Sequence, residues 1–202
     1  MNFISNDMPF EIAVFSPEKD YPNELELVLD LFTAGLERFH VRKPHSSVES
    51  IRTYLSSIPA EFRDKVYVHY NRKLAQEFGC KLHLQFQFAV IQGKVQSCDS
   101  VSVHNLEEFK QIDGRINSCT LSPVFESISK ENYAANPDLD RIPPDRETKI
   151  IALGGVDAST IAKAREFGFD GAACLGGIWH STGEPLQNFK RIQSATQLTA
   201  AL

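Results

Sequence analysis

Short apolar or β-branched runs alternate along the chain with stretches in which apolar residues recur at helical spacing. The short runs fall at Glu11–Phe15, Arg38–Val41, Val66–His69, Leu82–Leu84, Ser100–Val103, Ser118–Leu121, Ile150–Leu153 and Ala172–Leu175, and each reads as a strand. Between them, Leu25, Val28, Leu29 and Phe32 form the i, i+3, i+4, i+7 stripe of an amphipathic helix. Ile51, Tyr54, Leu55 and Ile58 repeat the stripe, with Ser47 as its N-cap. Leu74, Ala75 and Phe78 make a shorter helix stopped by Gly79, and Ile161, Ala164, Arg165 and Phe167 one stopped by Gly168. A last helix runs from Leu186 to Leu198 behind Pro185. The segment from Gln85 to Asp99 is too short for a full crossover helix and predicts irregular structure. The long stretch Phe125–Glu147, with Pro137, Pro143 and Pro144, predicts an extended loop after the sixth strand, of a size that often serves as a lid.

Strand–helix alternation implies parallel strands with crossovers. Eight such units close into a single (β/α)8 TIM barrel spanning residues 1–202, whereas six or fewer would leave an open doubly wound sheet. For that barrel, 202 residues is short, so shortened helices are expected.

A formal net charge of -5 gives no sign of nucleic-acid or anionic-membrane binding, so an anion site would have to be built locally. No apolar run approaches the roughly 20 residues of a membrane span. The start MNFISNDMPF lacks the basic and apolar blocks of a secretory signal. Cys80, Cys98, Cys119 and Cys174 form no CxxC pair, and Cys119 and Cys174 sit in apolar runs as core residues. These features read as a cytoplasmic protein with reduced thiols; a homo-oligomer is compatible with them.

In a barrel of this type, chemistry sits just past the C-terminal strand ends. Those positions are polar here. Strand two ends in His40, Arg42 and Lys43, and strand three in His69. Strand four carries His83, strand five ends in His104, and strand six runs into Ser122, Ser127, Ser129 and Lys130. Four of the six histidines thus fall at the ends of four successive strands. Three imidazoles can hold zinc, but no carboxylate stands at these strand ends, and the expectation is that no metal is bound. Strands seven and eight are followed by Gly154–Gly155 and Gly176–Gly177, which would let backbone N–H groups approach a phosphate at the usual place for these barrels. Asp157, Ser159 and Thr160 read as helix caps.

At these residues the chain resembles the thiamin phosphate synthase/TenI family, from about Glu11 to Trp179. The matches are SPVFESISK from Ser122 to Lys130, IALGGV from Ile151 to Val156, and FGFDGAACLGGI from Phe167 to Ile178. They are similar to the family patterns GPxxxTxTK, GIGG(I/V) and GADG(V/A)xxxxxI. The resemblance implies that Gly154, Gly155, Gly176, Gly177, Ser127 and Ser129 hold the phosphate of a thiazole phosphate. The synthase also uses QxRxK after strand two and Mg2+ on two aspartates. This chain has His40, Arg42, Lys43 and Pro44 at the first motif, and Tyr70 and a residue near Phe88 at the aspartate positions. Neither offers the carboxylate that holds Mg2+.

TenI-like relatives are similar to thiazole tautomerases, which need no metal and carry the proton on a histidine in a context like SVHSLEE. Ser102 to Glu108 reads SVHNLEE, so the resemblance implies His104 as acid/base. His40, Arg42, Lys43, His69, His83, Ser122 and Lys130 would then line the substrate pocket. Three readings follow. The first is a metal-free tautomerase without cofactor, acting on a thiazole phosphate. The second is a synthase that joins hydroxymethylpyrimidine pyrophosphate to that phosphate and needs Mg2+. The third is a non-catalytic protein that binds thiamin phosphate or a precursor.

Overall fold

A computed structural model describes residues 9–126 and 134–198. Eight parallel strands close into one barrel in sequence order, β1 pairing with β2 on one side and β8 on the other. They are β1 Glu11–Phe15, β2 Arg38–Val41, β3 Val66–His69, β4 Lys81–Gln85, β5 Ser100–Val103, β6 Ser118–Leu121, β7 Lys149–Leu153 and β8 Gly171–Cys174. The closed pairing rules out the open doubly wound sheet.

The helices are short, as expected: α1 Glu24–Thr33, α2 Val48–Ser56, α3 Arg72–Phe78, α4 Phe86–Ile91, α5 Leu106–Lys110, α6 Ile161–Glu166, α7 Gly176–Trp179 and α8 Pro185–Leu198. Ser47 caps α2 by accepting from the Ser50 N–H, and Gly79 ends α3 at φ 67°, where a Cβ would be strained. The Gln85–Asp99 segment departs from expectation. It is not wholly irregular, because α4 starts directly at Phe86 with no linker, and a 3-10 turn, Val95–Ser97, completes the crossover. Asp157 accepts from the N–H groups of Ser159 and Thr160 in the turn before α6, while Thr160 holds the N-cap position with its hydroxyl donating back to Gly155 O instead of capping the helix.

In the Phe125–Glu147 stretch, residues 127–133 lie outside the described residues. The later part is fastened to the barrel rather than standing clear of it. Asn136 N–H donates to Pro123 O, Ile142 N–H donates to Phe167 O, and Leu139 and Ile142 are buried. Arg146 anchors its end on Asp170 through a two-point ion pair of 2.8 and 3.3 Å, and also donates to the carbonyls of Pro143 and Gly168.

Strand alternation sorts the side chains into two layers. Val14, Phe39, Val41, Val68, Leu82, Leu84, Val101, Val103, Cys119, Leu121, Ile150, Ala172 and Cys174 belong to the large core shared with the helices. A small second cluster lies inside the barrel, made of Ala13, Phe15, Ile151 and Ala173 with Leu153 and Leu175 against it. It comes only from β1, β7 and β8 and the residues that follow them. The alternate positions of β2 to β6 are polar: Arg38 and His40, His69, His83, Ser100 and Ser102, Ser118 and Thr120, joined on β3 by Tyr67. Half of the barrel interior is therefore polar, and some of its groups pair with one another: Arg38 donates to Ser118 Oγ across the barrel at 3.1 Å and pairs with Glu11.

Candidate functional site

A cavity of about 220 Å³ opens at the C-terminal ends of the strands, and every strand or the residues just after it contributes to its wall. β1 supplies Phe15 and, further on, Glu18. β2 leads into Arg42, β3 supplies His69 and Tyr70, and β4 His83 and Gln85. Ser102 and His104, Thr120 and Ser122 follow from β5 and β6. The apolar flank is Leu153, Ala173 and Leu175, with Gly154, Gly155, Val156 and Gly176 at the mouth.

Of the residues singled out from the sequence, the structure brings Arg42, His69, His83, His104, Ser122, Gly154, Gly155 and Gly176 to one cavity. It does not bring Lys43 there. Lys43 Nζ lies 2.6 Å from Glu24 Oε2 of α1, with both side chains nearly buried, because Lys43 follows Arg42 and points to the opposite side of the strand end. His40 is fully buried, one layer below the cavity wall. Gly177 also lies off the wall; a Cβ there would meet Val156 O at 2.5 Å, so its lack of side chain lets the loops after β7 and β8 touch. Gly155, at φ 63°, has the same kind of reason, since a Cβ would fall 2.1 Å from Glu126 O. Ser127, Ser129 and Lys130 lie outside the described residues. Sequence reasoning passed over Phe15, Glu18, Ser102 and Thr120. The signal for the hydroxyls was present in the i, i+2, i+4 spacing of Ser118, Thr120 and Ser122, which places them on one face of a strand.

His40, His69 and His83 form one buried group. His40 Nδ1 and His69 Nε2 are 3.0 Å apart, and His83 Nδ1 is 3.0 Å from Ser100 Oγ. Phe15 lies flat on one face of His40 and Tyr67 on the other, at 4.4 and 4.8 Å between ring centres. His40 Nε2 and His69 Nδ1 have no partner, and neither does Thr120 Oγ1. Burial pushes all three imidazoles down, His83 to about 3, and the neighbouring histidines and arginines add to the effect. The group is thus neutral near pH 7.

His104 differs. It is half exposed at the start of α5 and lines the cavity from its rim. The cap of α5 is Asn105, whose Oδ1 accepts from the Glu108 N–H. Glu108 reaches back, accepting from the His104 N–H at 2.8 Å and facing its Nδ1 at 3.3 Å. The carboxylate on Nδ1 sets the ring's orientation and leaves Nε2 for a ligand, the arrangement of an oriented acid/base. Arg42 is tied to Glu18 by an ion pair at the same rim. Tyr70 sits beside it at φ 62°, a conformation disfavoured for a bulky residue and held here by its N–H bond to His83 O.

No protein-family model matches the chain, and no curated protein matches it in sequence. Solved structures match it in shape. The thiamine phosphate pyrophosphorylase of Pyrococcus furiosus aligns with a TM-score of 0.74 at 14% identity over 94% of this chain and 96% of its own. That of Bacteroides thetaiotaomicron gives 0.70 at 19% identity over 94% and 98%. This chain has the fold of the thiamine phosphate pyrophosphorylases. The fold is shared more widely: 3-hexulose-6-phosphate synthase from Salmonella typhimurium gives 0.70 at 12% identity over 94% and 100%. At such identities the likeness is one of fold, and what the chain does must be argued from the cavity.

Proposed function

We propose that the chain is an isomerase of the thiamin-biosynthetic type, which moves a proton within a thiazole carboxylate phosphate. The observation that carries this reading is that His104, held by Glu108, and the glycine turns after β7 and β8 face the same cavity. In this reading the phosphate lies at the mouth, against the backbone of Gly154, Gly155 and Gly176, with Ser127 and Ser129 as further candidates. Arg42 adds positive charge beside it. The thiazole ring enters between the polar flank, including His69, His83 and Ser122, and the apolar flank of Leu153 and Ala173. His104 Nε2 takes the proton from one carbon and returns it to another, and Glu108 steadies the imidazolium formed in between. That step calls on no metal and no cofactor.

The pyrophosphorylase reading has one specific observation in its favour, the fold, and two against it. Tyr70 stands where an aspartate would be needed, and the displaced Lys43 is engaged by Glu24. A third reading, binding without turnover, shares the same cavity.

The deciding experiment follows the ultraviolet absorbance of a non-aromatic thiazole phosphate as it aromatises. His104→Gln keeps a polar side chain but cannot shuttle a proton near neutral pH, so aromatisation should slow by roughly 10²–10⁴ while calorimetric affinity is kept. His45→Gln, which removes a histidine outside the cavity, should match wild type. Thiamin phosphate and pyrophosphate formed only with Mg2+ would transfer the assignment to the synthase reading. Tight binding with no conversion would leave the third.

A further inference from the structure

We infer that His40, His69 and His83 form a site for a first-row transition-metal cation of the zinc type, with its open position turned toward the cavity. The three histidines come from consecutive strands, and one ring nitrogen from each lies within 4.8 Å of the others. Tetrahedral zinc with nitrogen ligands at about 2.0–2.1 Å needs about 3.3 Å between them. His40 Nδ1 and His69 Nε2, at 3.0 Å, already meet that spacing, so the closure falls mainly to His83.

A further observation points the same way. His83 is aligned from behind by Ser100 Oγ on its Nδ1, leaving Nε2 toward its neighbours; outer partners of this kind orient metal-bound imidazoles. The rings of Phe15 and Tyr67 fix the plane of His40.

The donor set selects the ion. Imidazole suits zinc, copper, nickel and cobalt, and three imidazoles without a carboxylate give Mg2+ and Ca2+ little to bind. The two nearby cations each have a carboxylate of their own, Arg38 with Glu11 and Arg42 with Glu18, which offsets their repulsion of an incoming ion. His69 and His83 form part of the cavity wall while His40 lies behind them, so a fourth position would face the ligand space. There the ion could hold water or an oxygen of a bound carboxylate. The expectation of no metal rested on the missing carboxylates, and a three-histidine site does not need them.

The test uses the metal alone and does not depend on any turnover. Chelator-stripped full-length protein is dialysed against Zn2+ or Co2+ and the bound ion counted. One equivalent is expected, with Mg2+ failing to compete and the Co2+ form showing four-coordinate visible absorption. His69→Gln and His83→Gln should each weaken binding by more than the roughly 10–100-fold that loss of an outer partner costs. His45→Gln should bind normally. X-ray absorption at the zinc edge of the wild-type protein, expected to show three imidazoles, decides the matter if the variants fail to fold. Substoichiometric binding, retention by both variants, or a ligand shell without three imidazoles would overturn the site. A bound ion in a protein that aromatises no thiazole would uphold this site and remove the isomerase reading.

Discussion

Lys43 and Glu24 are joined by a 2.6 Å ion pair with both side chains less than a tenth exposed, behind the cavity instead of in it. Replacing one partner leaves the other charge buried and unpaired. Lys43→Met should cost about 3–5 kcal/mol in denaturant unfolding while leaving phosphate-ester affinity unchanged in the folded fraction. Arg42→Met should do the reverse, since its pair with Glu18 is about one-third exposed and contributes little to stability. Weak ester binding in Lys43→Met with normal unfolding would return Lys43 to the site.

Gly155→Ala and Gly79→Ala separate conformation from crowding. Both glycines have φ near +65°, yet a Cβ at residue 79 meets nothing within 4 Å, whereas at residue 155 it meets Glu126 O at 2.1 Å. Gly79→Ala should cost about 1–2 kcal/mol, the left-handed penalty alone. Gly155→Ala should cost clearly more and lower ester affinity, because the loop must move away from the cavity mouth. Equal losses would show that the loop yields freely.

Arg146→Met tests the fastening of the sixth loop. The variant leaves Asp170 buried against Ile150 N–H with its cation gone. A loss of about 3–5 kcal/mol is expected. Cleavage by a protease in the 134–147 region should rise with it, read by mass spectrometry. Unchanged cleavage would mean that the buried Leu139 and Ile142 hold the segment alone.

The barrel was legible because the strands stand out as short apolar runs and several crossovers carry their own signal. Ser47, Gly79 and Pro185 mark helix ends through backbone chemistry that does not depend on the rest of the fold. The short α4 was missed because Phe86–Ile91 is too brief for a periodic stripe to stand out. The four histidines were placed together on the rim, but their depth along the barrel divides them. His40, His69 and His83 occupy inward positions of a barrel whose interior is usually aliphatic, and only His104, past the end of β5, reaches the rim. The glycine pairs were read as ligand contacts. Packing of one loop on another accounts for Gly155 and Gly177, a cause that needs coordinates to see.

The division of the barrel interior into a polar half and an aliphatic half has a stereochemical consequence. Leu153, Ala173 and Leu175 offer a ring nothing but hydrocarbon, while hydroxyls and imidazoles face it from the other side. A flat heterocycle with unlike edges can then enter in one orientation only, and the imidazole of His104 meets one of its two faces. Protonation in heavy water should therefore label a newly tetrahedral carbon with a single handedness. Ala173→Ser, by placing a hydroxyl on the aliphatic side, should erode that selectivity before it harms the fold.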